Sequence, residues 1–273
     1  MTRFWAEFAV LYGAALAGAL GLAPYLLRLS AQASGARKPR FSGPQLALVG
    51  WLQTAVLFAP VVGVGLVAAH AVGRGAPYVE AALGGFAACP LVGPMLRMAI
   101  SVGVVSGAAL TGLDFLLLPW LPAQIRELAR RTSLTENFAA SFYGGIDEEL
   151  LTRLLGVSGA AWLLARVWPN AAGAPTAADA WAAILLMALL FGLGHLPAAK
   201  AVVGRITPLI LGRSLVLNGV VGLACGWLFW TYGIEAAILA HFTADIVYHV
   251  GGTVLLRLYE RRWPPAAGPE AAA

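Results

Sequence analysis

Three acids in succession, Asp147, Glu148 and Glu149, precede Arg153 in the stretch YGGIDEELLTRLLG (143–156), which lies between long runs of Ala, Leu, Gly and Val. Two more polar groups follow downstream: Phe191 and His195 in FGLGH, then His241, Asp245 and His249 in HFTADIVYH. A carboxylate and an imidazole sharing a water-poor place can hold and deprotonate a water, and a second imidazole there can donate to a developing oxyanion. The same residue types bind metal. A catalytic zinc needs three protein ligands and an open position; His241, Asp245 and His249 could offer them from one helix, and Glu148, His195 and His241 could in principle offer them from three. The HExxH spacing that places two His on one helix face around zinc does not occur in the sequence.

Helical spacing sorts these side chains. Residues four apart share a face, whereas neighbours diverge by about 100°. Glu149 and Arg153 therefore pair along their own helix, with the acid N-terminal, the favourable orientation. Glu148 has Thr152 at i+4 and must find its partner on another helix. Asp147 lies on a further face and is expected to reach headgroups or water. Phe191 and His195 share a face, and Pro197 ends or kinks their helix, leaving carbonyls near the histidine without partners. His241, Asp245 and His249 form a stripe at i, i+4 and i+8, in which Asp245 can hydrogen-bond either imidazole. The bland reading of each group is an ion-pair clamp or a helix-end histidine. For Glu149 and Arg153 the clamp is the preferred one.

The elements that must carry these groups are apolar. Hydrophobic residues make up 60% of the 273 and charged residues 11%, against roughly 45–50% and about 25% in soluble domains. A helix needs about 20 mostly apolar residues to cross a bilayer. The sequence provides seven such stretches, near 4–27, 45–70, 91–118, 134–165, 177–199, 206–231 and 233–256. The expected fold class is all-α, a polytopic transmembrane helix bundle. An ionised side chain in mid-bilayer costs about 2.5–3.5 kcal/mol on insertion scales and usually faces the bundle interior, where it marks function. Nearly all such residues fall in 134–256; within the first half only Arg97 and Asp114 are exceptions. The chain therefore reads as one membrane domain, with N-terminal helices in 1–133 and a reactive core in 134–256.

Loop charge gives the orientation. Arg28, Arg37, Lys38, Arg40, Arg126, Arg130, Arg131, Lys200, Arg205, Arg213, Arg257, Arg261 and Arg262 follow alternate spans, whereas only Arg3, Arg74 and Arg166 fall on the other side. Cytoplasmic loops carry the Lys/Arg excess, so the N-terminus is expected outside and the C-terminus inside. The net charge of +5 is a topology signal. It is no nucleic-acid footprint, because the basic residues are spread over loops and do not line one face. The stretch 77–95 reads as an eighth span, a re-entrant hairpin or a surface helix; a further full crossing would put Arg126, Arg130 and Arg131 outside, so seven spans are preferred. Cys89 and Cys225 sit in apolar context and do not suggest a disulfide framework.

Taken together, EELLTR (Glu148, Glu149, Arg153), FGLGH (Phe191, His195) and HFTAD (His241, Asp245), on separate hydrophobic helices in that order, resemble the EExxxR, FxxxH and HxxxN/D signature of the CPBP intramembrane proteases. That family includes the type II CAAX prenyl endopeptidases and bacterial abortive-infection or bacteriocin-immunity proteins. The resemblance covers about 140–250. It implies that Glu148 and His195 activate a water, that His241 and its i+4 partner stabilise the oxyanion, and that Glu149, Arg153 and Phe191 support the site. Where the family also uses Asn, this chain has Asp245, and the favoured role is to fix the His241 tautomer, as the Asp of a Ser-His-Asp triad orients its His. Metal-free chemistry is preferred, with zinc the alternative cofactor. The implied partners are a peptide or membrane-protein substrate and the lipid bilayer, in a prokaryotic plasma membrane. Two other functions fit the same charges: a catalytically idle scaffold or immunity protein, and a proton-coupled transporter. Inverted repeats, which transporters usually carry, are not evident.

The orientation has a direct test. A cysteine introduced at Lys38 is expected to react with a membrane-impermeant thiol reagent only after the cytoplasmic face is opened. Labelling from the outside of intact cells would reverse the assignment.

Overall fold

Seven helices long and apolar enough to cross a bilayer occur among the described residues of the structure, a computed structural model that describes residues 2–32, 42–84, 92–170 and 173–262. They are α1 (Thr2–Arg28), α2 (Gly43–Ala71), α4 (Val92–Trp120), α6 (Leu134–Val167), α7 (Ala177–Val203), α8 (Pro208–Tyr232) and α9 (Ile234–Arg262). Two short helices join them, α3 (Pro77–Leu83) and the amphipathic α5 (Ala123–Arg131). No strand occurs among the described residues. The expected all-α bundle, with seven helices of spanning length, is what the described residues form. Part of the doubtful stretch 77–95 is the short α3; residues 85–91, with Cys89, lie outside the described residues.

Local sequence sets the helix starts. Ser42 with Gln45, Ser133 with Glu136, and Thr176 with Asp179 form capping boxes at α2, α6 and α7, each satisfying orphan N–H groups at both ends of the pair. Thr207 caps α8 just before Pro208. Gly233, at φ +99°, turns the chain between α8 and α9 in a region that favours glycine. Pro197 has the predicted effect: α7 is interrupted at His195 and resumes at Leu196.

The bundle turns large apolar side chains outward and encloses several charged residues within an apolar core. Val56 is 74% exposed whereas Arg153 is 2% exposed, the arrangement a hydrocarbon solvent demands. The basic segments gather at one end. There Arg28 pairs with Glu136 at 2.7 Å, Arg130 with Glu260 at 2.6 Å, and Arg257 donates to the Thr132 carbonyl at 3.0 Å. At the opposite end Arg3 donates to the Glu80 carbonyl and Glu7 meets His70. One residue counted with the basic loops departs from this pattern. Arg213 lies inside α8 and pairs with Asp114 of α4 at 2.6–2.7 Å, a partly buried acid that offers the guanidinium a bidentate partner.

Close helix contact positions α9. A Cβ at Gly103 would lie 2.6 Å from the Ala240 carbonyl and 2.6 Å from Thr243 Cβ, and one at Gly107 would lie 2.6 Å from the Ala244 carbonyl. The two glycines, four apart on α4, let the backbones touch as small-xxx-small faces do. They seat the segment that carries His241 and Asp245. Gly103→Val should cost about 1–3 kcal/mol through overpacking, read as a lower unfolding midpoint in detergent. Gly112→Val should leave it unchanged, since a Cβ there meets nothing within 4 Å. Equal effects from both would remove the seating role.

Candidate active site

The acids of α6 sit where the helix widens. Residues Gly144–Glu148 and Leu150–Val157 are π-helical, a form that is rare and frequent at functional sites. Glu148 and Glu149 lie at the junction of these two stretches. Successive residues would diverge in an α-helix, yet here both carboxylates face one ring, that of His241. Glu149 Oε1 lies 2.6 Å from Nδ1, and Glu148 Oε2 lies 3.9 Å from Nε2. The partner that Glu148 lacks on its own helix is supplied by α7 and α9: His195 Nε2 is 3.8 Å from Oε1.

The nitrogens that do not face Glu148 are committed elsewhere. His195 Nδ1 is 2.8 Å from the Phe191 carbonyl, which can only accept, so Nδ1 donates and Nε2 presents its lone pair to the shared space. For His241, Nδ1 donates to Glu149 Oε1, and that same oxygen holds Arg153 Nη1 at 2.7 Å. Arg153 has both terminal nitrogens engaged. It also donates to Thr152 Oγ1 and, through Nη2, to the carbonyls of Val221 at 3.3 Å and Gly222 at 3.2 Å, and its guanidinium lies 5.1 Å from the Phe191 ring centroid. Phe191 in turn meets His195 and His241 edge-on at 4.7 and 5.8 Å. The apolar ring thus packs against both imidazoles and the cation at once.

Two sequence expectations change. Asp245 was expected to fix the His241 ring, but its Oδ1 lies 3.7 Å from Nε2, and the 2.6 Å bond goes to Glu149. Helical spacing pointed to the acid on the same helix; tertiary packing brings a closer one from α6. Asp147 was expected to reach headgroups or water. Instead it is fully buried, its carboxylate oxygens lack hydrogen-bond partners, and it packs on the bare backbone of Gly18, where any Cβ would collide with Oδ2. His249 is peripheral, with a side chain 48% exposed and 3.8 Å from Asp245.

Gly144 belongs to the site and was not singled out from sequence. A Cβ there would lie 2.5 Å from Asp245 Oδ2 and 3.6 Å from His241 Nε2, so its missing side chain keeps open the space beside that nitrogen. The glycine pair before IDEE was the available signal. A second, partly buried network, in which Tyr248 and Arg213 both donate to Asp114, ties α4, α8 and α9 together.

Metal ligation can be tested on these distances. Glu149, Cys225 and His241 bring ligand atoms within 4.8 Å of one another, but Glu149 already binds a guanidinium there, so a cation would have to displace Arg153. Around Glu148 the carboxylate–imidazole separations are 3.8 and 3.9 Å, a few tenths of an ångström wider than the edge of about 3.4 Å in a tetrahedral zinc site with bonds near 2 Å, so an ion there would need a small shift of the side chains. These separations suit a water hydrogen-bonded to both groups.

Removing the cation should unseat the imidazole. Arg153→Ala leaves Glu149 a lone buried charge, a break that costs about 3–5 kcal/mol in buried pairs. The expected result is a large drop in folded yield. Arg153→Lys should rescue it only in part, because one ammonium cannot reach Glu149, Thr152 and both carbonyls of α8. Normal yield and midpoint for Arg153→Ala would overturn this account.

Comparison with known proteins bears on the same residues. Residues 131–247 match the family model described as type II CAAX prenyl endopeptidase Rce1-like. No curated protein and no solved structure matches the chain. The matched segment holds all three motifs, from EELLTR on α6 through FGLGH on α7 to HFTAD on α9. Over residues 131–247, then, this chain of seven long apolar helices is similar to the type II CAAX prenyl endopeptidases of the Rce1-like kind.

Proposed function

We propose that the chain is an intramembrane endopeptidase in which Glu148 is the general base and His195 helps it hold the attacking water. One observation carries this reading: Glu148 stands between the Nε2 atoms of two histidines at 3.8 and 3.9 Å, while both Nδ1 atoms are occupied by other acceptors. The site is reachable at Glu148 and His195, whose side chains are 23% and 37% exposed, and closed at Glu149 and His241, at 0% and 5%. The first two would handle water and substrate, and the second two would hold position.

In this mechanism Glu148 takes a proton from the water as its oxygen attacks the peptide carbonyl carbon, and the carbonyl π pair moves onto oxygen. Collapse of that intermediate breaks the C–N bond, and the leaving amine takes the proton from Glu148. His241 donates to the oxyanion through Nε2. Since Nδ1–H is already given to Glu149, it does so as the imidazolium. Residues 134–256 form the catalytic core, and 1–133 pack around it. The substrate is a peptide or membrane-protein segment presented within the bilayer.

A general base contributes about 10²–10⁴ in rate, so Glu148→Gln should abolish cleavage without loss of folded protein. Comparison of protein termini in cells carrying wild type or Glu148→Gln should reveal new N-termini in the wild type alone. Asp245→Asn should lose far less than the roughly 10⁴ seen when a triad Asp is amidated, because Glu149 holds the His241 tautomer. Glu149→Gln should lose more. A wild-type phenotype that survives Glu148→Ala would favour a scaffold, and ion-dependent flux insensitive to Phe191 substitutions would favour a transporter.

A further inference from the structure

At the end of the bundle opposite the basic loops, three ligand-type side chains from three helices converge. Glu7 of α1 presents Oε2 at 3.1 Å from Nε2 of His70, at the end of α2, and Oε1 of Glu80 on α3 lies 3.8 Å from the same nitrogen. The three ligand atoms lie within 4.8 Å of one another. None of these residues falls in the segment that matches the family.

The Glu7 carboxyl is the telling group. It is 1% exposed, and although the Ala76 backbone approaches it, Oε1 makes no hydrogen bond of ordinary geometry. A buried carboxylate oxygen without a partner is costly, and a dication removes that cost. The spacing suits one. Zinc bonds of about 2.0–2.2 Å to His and carboxylate give tetrahedral edges near 3.4 Å, between the 3.1 and 3.8 Å observed, and the Glu80 and His70 side chains, 33% and 39% exposed, have room to adjust. An open side is present as well. Gly75, at φ +157°, leaves space that a Cβ would fill, 3.3 Å from Glu80 Oε1 and 3.4 Å from His70 Nε2. Arg3 lies 3.8 Å from the other oxygen of Glu80, and no Arg or Lys among the described residues is paired with Glu7 Oε1.

We propose that Glu7, His70 and Glu80 bind a divalent transition metal of the zinc class, with water at the position Gly75 leaves free. One imidazole and two carboxylates make a borderline donor set, which suits zinc and its neighbours better than magnesium or calcium. The ion would join α1, α2 and α3. Its effect reaches the catalytic helix, because α3 is bound to the start of α9: the backbone N–H groups of Tyr78 and Val79 donate to Glu235 Oε1 at 2.9 and 2.8 Å, and Ile234 N–H donates to the Gly75 carbonyl at 3.0 Å. Occupancy therefore steadies the N-terminal end of the helix that carries His241.

The full chain, stripped with chelator in detergent, is titrated with Zn²⁺, and with Co²⁺ as a spectroscopic probe of coordination. Expected are about one bound zinc per chain, a metal-dependent rise in unfolding midpoint, and a tetrahedral Co²⁺ spectrum, all retained in Glu148→Gln with His195→Gln. His70→Gln and Glu80→Gln, at partly exposed positions where folding should persist, should weaken binding about tenfold or more, at least the loss typical of outer-shell changes. Absence of bound metal in the wild type would overturn the proposal. So would binding that is unchanged in folded His70→Gln and Glu80→Gln, or binding lost in the Glu148/His195 double variant, which would assign the ion to the active site.

Discussion

A guanidinium buried in a hydrocarbon-facing bundle has no water to satisfy its five donors, and the rest of the site is built around that constraint. Arg153 uses a carboxylate and a hydroxyl from its own helix, two backbone carbonyls of α8, and the face of Phe191 on α7. Each contact binds α6 to another helix or fixes the pose of Glu149. Glu149 then has one direction left, toward His241 on α9. The chain from α8 carbonyls through Arg153 and Glu149 to an imidazole is therefore a positional relay. It holds a ring on the last helix by charge-assisted bonds that no solvent can replace.

Such a relay needs the helices at short range, and glycine provides it. Gly222 of α8 lets Ala188 of α7 approach to where a Cβ would be 2.8 Å away, and Gly226 does the same for Ile184 at 2.7 Å. On the other flank α9 is held between Gly103 and Gly107 of α4 and Gly145 of α6, where a Cβ would lie 2.9 Å from Phe242 Cβ. Lipid is as apolar as leucine, so burial of large side chains gives little net drive between these helices; close backbone approach and buried polar bonds provide it. The π-helical widening of α6 completes the fit by letting successive glutamates address opposite edges of one ring.

The spans were legible in the sequence because the bilayer imposes a length on them, and the motif residues because a charge in hydrocarbon is too costly to be incidental. What did not show was which acid serves which histidine. Spacing along one helix favours Asp245 for His241, yet the short bond comes from Glu149, 92 positions away in the chain. Periodicity also assumed an α-helix through 144–157, and the wider turn there alters which faces Glu148 and Asp147 occupy. Glu7, His70 and Glu80 were invisible for a related reason. Each sits near a helix end, where a polar residue is ordinary, and only the fold brings them within 4.8 Å.

The presence of Asp245 in place of Asn now has a physical reading independent of tautomer control. With Nδ1–H of His241 given to Glu149, the ring donates from Nε2 only when it carries both protons. Nε2 then faces two carboxylates, Glu148 at 3.9 Å and Asp245 at 3.7 Å, while Arg153 and Glu149 balance each other on the far side. An Asn at 245 would offer a dipole to the oxyanion. In the proposed reaction an Asp would offer a countercharge to the imidazolium, which would matter most once Glu148 had taken up the proton of water and could no longer supply one. In this chain the oxyanion would be met by a single charged donor, held from behind by Glu149 and matched from the side by Asp245.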